Sequence, residues 1–456
     1  MIHKYFLNGY YIVLDVNSGA VHSVDELTYR LLDHVESPTG ETCPDGALAA
    51  LGGEFAAADI EEAYQELREL KNEGTLFTED DYRAFIDRAS TVAPVKALCL
   101  HIAHDCNLRC GYCFAGTGEI GGKRSLMSLE VGKKAIDYVV EKSENRRNIE
   151  IDFFGGEPLM NFEVVKGIVK YARSLEKEKG KRFRFTVTTN GVLLDDDKMD
   201  FINKEMSNVV LSIDGRKEVN DRMRRTVAGG GSYDIIMPKF KKLADSRNQT
   251  DYYVRGTFTK YNLDFSKDVL HLADLGFEQT SVEPVVTDPK DDYAISPDDL
   301  PAVFKEYERL ALAMIERREQ GRRFNFFHFM IDLTQGPCVI KRLRGCGSGN
   351  EYLAVTPDGD VYPCHQFVGH EEYRMGSVLD GSIDMEIKKR FASSNLYTRK
   401  GCADCWAKFY CSGGCCANSY KYAGDIDTPY ALACEMEKKR IECAVMMKVD
   451  ELSGEK

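Results

Sequence analysis

Six short apolar runs punctuate the chain between Val95 and Gly321: VKALCLHIA, NIEIDFFGG, RFRFTVTTN, NVVLSID, YYVRGTFTK and QTSVEPVV. Between them fall stretches with apolar residues at helical spacing, among them LEVGKKAIDYVVEKS, NFEVVKGIVKYARSLEKEKG and SYDIIMPKFKKLAD. Strand-length runs separated by amphipathic helices predict an α/β fold of six parallel β/α units, closed or partly closed into a barrel. A doubly wound open sheet has the same periodicity and is the competing topology.

The pattern differs on either side. YFLNGYYIVLDVNSGAVHSV alternates apolar and polar residues around Asn17-Ser18-Gly19 and predicts a β-hairpin. Two helical stretches follow, DELTYRLLDHV and DIEEAYQELRELKNEG; in the second, Ile60, Ala63, Tyr64, Leu67 and Leu70 share one face, and Asn72 to Gly74 supplies a stop. A hairpin with helices has the size of a winged-helix module. Beyond residue 330 the chain is rich in Gly, Cys and turn residues and poor in long periodic runs, so a metal is expected to hold it. The expected domains are residues 1–88, 89–325 and 326–456.

At 456 residues the chain exceeds a comfortable single core, which agrees with that division. A net charge of -13 argues against a nucleic-acid partner, because phosphate binding needs a basic surface. No apolar run is long enough to span a bilayer, and MIHKYFLNGYY lacks the basic-then-apolar pattern of a signal peptide, so the cytoplasm is the expected location. Fifteen cysteines in a reducing compartment point to metal or catalytic thiolates rather than disulfides. They cluster: Cys43 stands alone, four lie between 99 and 113, none between 114 and 337, and ten between 338 and 443.

The first cluster, HDCNLRCGYCFA, directly follows the first predicted strand and holds Cys106, Cys110 and Cys113. In β/α barrels functional groups collect on the loops leaving the strand C-termini. Gly155-Gly156-Glu157-Pro158, Thr188-Thr189-Asn190-Gly191 and Ser212-Ile213-Asp214-Gly215 fall at the same end of strands two to four. Three thiolates do not complete a tetrahedral zinc site, but they suit a [4Fe-4S] cluster with one open iron, a binding position for a small molecule.

With this C-x3-C-x2-C spacing, Tyr112 before the third cysteine, and GGEP after the second strand, residues 95 to about 300 resemble the radical S-adenosylmethionine (radical SAM) superfamily. The resemblance implies that Cys106, Cys110 and Cys113 ligate the cluster whose open iron chelates S-adenosylmethionine. Gly155, Gly156 and Glu157 would meet the methionine ammonium, and Ser212 and Arg224 the ribose and carboxylate, with Tyr112 and Asn190 also in the cofactor pocket; Arg222 and Arg225 compete with Arg224. Further on, Cys346, Gly359-x4-Cys364, then Cys402, Cys405, Cys411 and Cys415 at C-x2-C-x5-C-x3-C, and Cys434 resemble the seven-cysteine SPASM extension. That resemblance implies two auxiliary [4Fe-4S] clusters, three in all. Cys346, Cys364 and Cys415 would hold the first, with Cys338 or a substrate thiolate as its fourth ligand; Cys402, Cys405, Cys411 and Cys434 would hold the second. Zinc is the alternative for C-x2-C pairs taken alone. Cys43, Cys99, Cys416 and Cys443 are read as packed or spare thiols.

The N-terminal module resembles the PqqD-like element that binds leader peptides by strand addition to a sheet edge. The three-part order is most similar to maturases of the "six cysteines in forty-five" (SCIFF) peptides. The implied activity is a thioether crosslink from a cysteine sulfur to a Cα, threonine in that family. A cysteine-rich precursor peptide and a small electron-donor protein are the implied partners, and an anaerobic setting follows from oxygen-sensitive clusters. The nearest alternative is an anaerobic sulfatase maturase making formylglycine; those enzymes place an Asp after the G-x4-C cysteine, where this chain has His365. Other peptide crosslinkers share the architecture. A plain iron–sulfur electron carrier would have no use for an open iron or the GGEP rim.

Overall fold

The computed structural model describes residues 1–86, 90–116, 120, 124–333 and 342–454. Cys338, a candidate ligand, lies outside the described residues.

The N-terminal sheet has three strands rather than two, β1 (Ile2–Leu7), β2 (Tyr10–Asp15) and β3 (Val21–Val24), in an antiparallel meander. The extra turn is Asn8-Gly9, both left-handed at φ 52° and 82°, the conformation a two-residue hairpin loop demands. Helix Ala57–Asn72 buries Ile60, Ala63, Tyr64 and Leu67 in the module's core, as its periodicity predicts, chiefly against helix Glu26–Leu31, and a further short helix spans Asp45–Leu51. β2 is buried on both faces. Val13 joins the module's own core, while Ile12 and Leu14 pack against residues from the C-terminal half of the chain.

The six predicted strands are β4 (Ala97–Ala103), β6 (Asn148–Gly155), β7 (Arg182–Thr189), β8 (Asn208–Ser212), β10 (Tyr252–Phe258) and β11 (Gln279–Pro284). Two short strands, β5 (Leu108–Cys110) and β9 (Arg224–Thr226), pair with each other outside the main sheet. The six long strands pair in parallel and in chain order, extended at one edge by β12 (Asn325–Phe326). A doubly wound sheet reverses its order at a switch point; here none exists, so the topology is that of an open partial barrel. Leu98, Leu100, Ile151, Phe153, Phe185 and Val209 point outward into one core with the surrounding helices. The alternate positions, including Asp152, Thr186 and Arg255, line the bore.

The C-terminal region continues the same sheet. β13 (Tyr352–Val355) runs parallel to β4 on the side away from β6, followed by antiparallel β14 (Asp360–Tyr362) and β15 (Gly376–Ser377). From residue 378 to 430 helices are short, as the composition suggests, but Ala431–Gly454 is one 24-residue helix. Its buried residues, Leu432, Met436, Ile441, Cys443, Ala444, Val445, Met446 and Val449, form no single stripe because helix Leu300–Glu319 and β1 cover it from different sides. Periodicity therefore does not announce it. No helix among the described residues is long and apolar enough to cross a membrane.

Candidate active site

The cysteine loop leaves β4 at its C-terminal end and is clamped by the end of β6. Gly156 N donates to Ala103 O at 2.7 Å, and Glu157 N to Asp105 O at 2.9 Å. A Cβ on Gly155 would lie 2.3 Å from Ala103 O, and one on Gly156 2.1 Å from Asp105 O. The two glycines are thus required by the backbone approach itself. The Gly156 N–H is spent on the loop strand, and the carbonyls of the two glycines are the groups able to accept from a ligand's ammonium.

Glu157, fully buried, accepts from Thr189 Oγ1 (2.8 Å), Leu159 N (3.0 Å) and Asn190 N (2.8 Å). Burial pushes its carboxyl up to about 6, against the pull of these donors. Asn190 turns its Nδ2 toward Asn107 Oδ1 at 2.8 Å and Cys106 Sγ at 3.5 Å, and Leu108 N also points at Cys106 Sγ at 3.4 Å. Two of the predicted rim loops, those after strands two and three, therefore converge on the first cysteine.

The second cysteine is reached from elsewhere. β9 pairs with β5 so that Arg224 stands opposite Cys110, and Gly111 N donates to Met223 O. Arg224 is buried; Nη1 donates to Tyr112 Oη at 2.9 Å, and Tyr112 in turn donates to Asp214 at 2.7 Å, whose Oδ1 also accepts from Thr257 N. Of the three candidate arginines only Arg224 faces inward. Arg222 stacks on the Tyr261 ring at 3.4 Å, and Arg225 is exposed. Ser212 lies across the rim, in register with Arg255 of β10. Asp214 as the partner that fixes Tyr112 escapes the sequence, where it reads as a turn residue.

The thiols of Cys106, Cys110 and Cys113 lie close enough to disfavour one another's ionisation, and burial pushes Cys106 up to about 11 and Cys110 to about 12. Buried thiols converging under N–H donors suit a metal that keeps them deprotonated. Asn107 Nδ2 and Arg224 Nε, both at this site, are buried donors without a partner among the described residues. The donor set fits an iron–sulfur cluster with a polar ligand beside it. No three His, Cys, Asp or Glu among the described residues are grouped as a single metal ion requires; a four-iron cube holds its thiolates apart.

Two further sets form in the C-terminal region. Cys364 and Cys415 feel each other and Cys346, while Cys402, Cys405, Cys411 and Cys434 form a separate group. Cys416 lies beside Cys346 and Cys415, closer to the first set than a spare thiol would need to be. All described cysteines are free thiols. Cys99 is buried in the sheet, Cys43 in the N-terminal core and Cys443 in the last helix.

Between the first loop and Cys364 lies an aromatic patch absent from the sequence reading. His365 sits 4.9 Å from the Phe154 ring and 5.5 Å from Phe114, and Lys421 lies 5.8 Å over Phe114. Burial, with Arg255 and Lys421 nearby, pulls His365 down to about 4. Below it His101 and His104 are buried and bonded at 3.0 Å. Nothing in the local sequence marks these two as a pair.

A family model of the radical SAM superfamily matches residues 100–256, and one of the iron–sulfur cluster-binding SPASM domain matches residues 346–406. The chain is similar to the radical SAM cyclopropyl synthase TigE of Paramaledivibacter caminithermalis, 22% identical over 92% of this chain and 89% of TigE. It is also similar to a cysteine-type anaerobic sulfatase-maturating enzyme of Clostridium novyi, 25% identical over 69% of this chain and 86% of that one. Among solved structures, anSMEcpe with bound AdoMet and Cp18Cys peptide superposes with a TM-score of 0.64 at 20% identity, covering 80% of this chain and all of that one. Streptococcus suis SuiB bound to its precursor peptide SuiA superposes with a TM-score of 0.50 at 16% identity, over 94% of this chain and 97% of SuiB. At these identities the superpositions speak for the shared fold.

Proposed function

We propose that this chain, a radical SAM enzyme carrying a SPASM domain, crosslinks a cysteine-rich, ribosomally made peptide through a thioether from a cysteine sulfur to a Cα, that of threonine by the SCIFF resemblance. The observation that carries the reading is the aromatic patch of Phe114, Phe154 and His365, which lies between the Cys106–Cys113 loop and the Cys364 set and would seat a peptide between them. Residues 1–88 would grip the leader, 89–325 carry the radical chemistry and 326–456 hold two auxiliary clusters. The likeness to SuiB, solved with its precursor peptide, supports a peptide substrate.

Cys106, Cys110 and Cys113 would hold one [4Fe-4S] cluster, Cys346, Cys364 and Cys415 a second, and Cys402, Cys405, Cys411 and Cys434 a third. When bound, the first cluster and S-adenosylmethionine supply a 5′-deoxyadenosyl radical. The protein's own residues position and shield. The Gly155 and Gly156 carbonyls and Glu157 would receive the methionine ammonium, with Asn190 beside them. Ser212 would meet the ribose. Arg224, whose partner is Tyr112, would offer its remaining donor Nε to the carboxylate while keeping the loop of Cys110 in place. The net change in the peptide is loss of one S–H and one Cα–H hydrogen and formation of an S–Cα bond; the Cα hydrogen atom would leave with 5′-deoxyadenosine, the thiol proton would go to solvent and the remaining electron to an auxiliary cluster. A small flavin or iron–sulfur protein would deliver electrons, and the free thiols throughout suit the cytoplasm.

A second reading, crosslinking without sulfur, is favoured by the likeness to the cyclopropyl synthase over nearly the whole chain. Formylglycine formation fits less well, because His365 stands where those enzymes place an aspartate and is packed beside the Phe154 and Phe114 rings. Anaerobic incubation with S-adenosylmethionine, dithionite and a cysteine-rich precursor peptide decides among them. A thioether removes two hydrogens and one alkylatable thiol. A carbon–carbon ring removes two hydrogens and leaves every thiol alkylatable. An unmodified peptide beside released 5′-deoxyadenosine overturns the choice of substrate.

A further inference from the structure

Arg399 lies between the two C-terminal cysteine sets and is only 4% exposed. Its backbone belongs to one set, because its carbonyl accepts from Cys402 N at 3.2 Å. Its side chain turns to the other. Nη1 donates to Gly414 O at 3.2 Å and lies 3.5 Å from Cys416 Sγ, and Nη2 donates to Ser419 Oγ at 2.5 Å. Nε is buried with no partner among the described residues. Gly413, at φ +83°, makes room for it, since a Cβ there would lie 3.0 Å from Arg399 Cδ.

These partners are a carbonyl, a hydroxyl and a thiol, so none offers the negative charge that a buried guanidinium ordinarily requires. The groups around it are instead the thiol-bearing turns of both sets: its backbone is bonded to Cys402, and its guanidinium lies against Gly414 and Cys416, the two neighbours of Cys415.

We infer that Arg399 is a shared counter-charge for both C-terminal clusters, a positioning residue that holds the two at matched and raised reduction potentials. The inference rests on the reading that both cysteine sets carry clusters. One-electron reduction places one more negative charge on a cluster and forms no bond. A fixed cation in a low-dielectric surround favours that state, and net charge and hydrogen bonds to sulfur are the established determinants of cluster potential. A guanidinium suits the place because its several donors fan out while its charge cannot be lost.

The test uses the full chain, reconstituted without oxygen, as wild type, Arg399→Gln and Arg399→Lys. Iron and sulfide are counted, and the clusters are then titrated with dithionite and mediators under electron paramagnetic resonance. Arg399→Gln is expected to keep its iron and to weaken reduction of both C-terminal clusters at least tenfold, about 59 mV for a one-electron couple. The Cys106–Cys113 cluster should not move, and Arg399→Lys should fall between. Unchanged potentials, a shift confined to one C-terminal cluster, or equal iron loss from both variants would each overturn the inference. A wild type lacking either auxiliary signal would instead overturn the cluster assignment, and this inference with it.

Discussion

The Cys106–Cys113 loop leaves a strand whose every residue is buried, and it is clamped by Gly155–Glu157, Asn190 and the β5–β9 ribbon before any metal is considered. Residues 378–430 have no such frame. Their helices are short, their apolar clusters small, and five thiols stand where a core would be. On the proposed assignment the barrel is built to present a cluster, and the later segment is built around two. The same ligand chemistry does different work in the two places, site in one and scaffold in the other.

Removing metal should separate them most sharply. After chelation under reducing conditions, limited proteolysis is expected to cut within residues 342–430 while the barrel fragment survives; equal resistance of the two regions would erase the contrast. Next in size, Gly156→Ala forces a Cβ onto Asp105 O and should cost about 3 kcal/mol of local stability. The expected result is loss of roughly four irons per chain, the content of one cluster, with 5′-deoxyadenosine release abolished and the thermal transition of the C-terminal region unchanged.

The bore of the barrel offers a pH-dependent comparison. Burial, with Glu150 nearby, raises Asp152 to about 7. A carboxyl raised on folding binds more protons folded than unfolded, so its contribution falls as pH climbs from about 4 through 7. Asp152→Asn should therefore stabilise the protein at pH 8 by on the order of 2 kcal/mol and leave it unchanged near pH 4, read by denaturant unfolding. A gain of equal size at both pH values would sink this account. The smallest effect is expected of Asn190→Ala, which removes donors to Asn107 and Cys106 and should cost about 1 kcal/mol. A shift in the absorption of the first cluster, with no change in the other two, would mark it.

The barrel is legible in the sequence because each strand has an outer face such as Ile151 and Phe153 and returns in chain order. The cysteine sets are legible because ligand spacing is a local constraint. What escapes is whatever depends on residues far apart. β5 and β9 have three residues each, too few for any period, yet they put Arg224 opposite Cys110. The Asn8-Gly9 turn is a local hairpin signal masked by the stronger alternation around Asn17-Ser18-Gly19. The last helix hides because it is buried from several sides, and Arg399 because a lone arginine in a turn carries no pattern.

The pairing of β13 with β4 has a consequence for the order in which the chain is made. One neighbour of β4 emerges soon after it, but the other follows about 250 residues later. At ribosomal speeds of roughly 5–20 residues per second, one edge of β4 stays unpaired for on the order of 10–50 s. Throughout that interval the cysteine loop at its end is uncovered by the C-terminal region. Birth of the protein thus includes a window in which a cluster could reach the open Cys106–Cys113 loop before the C-terminal region arrives to close over it.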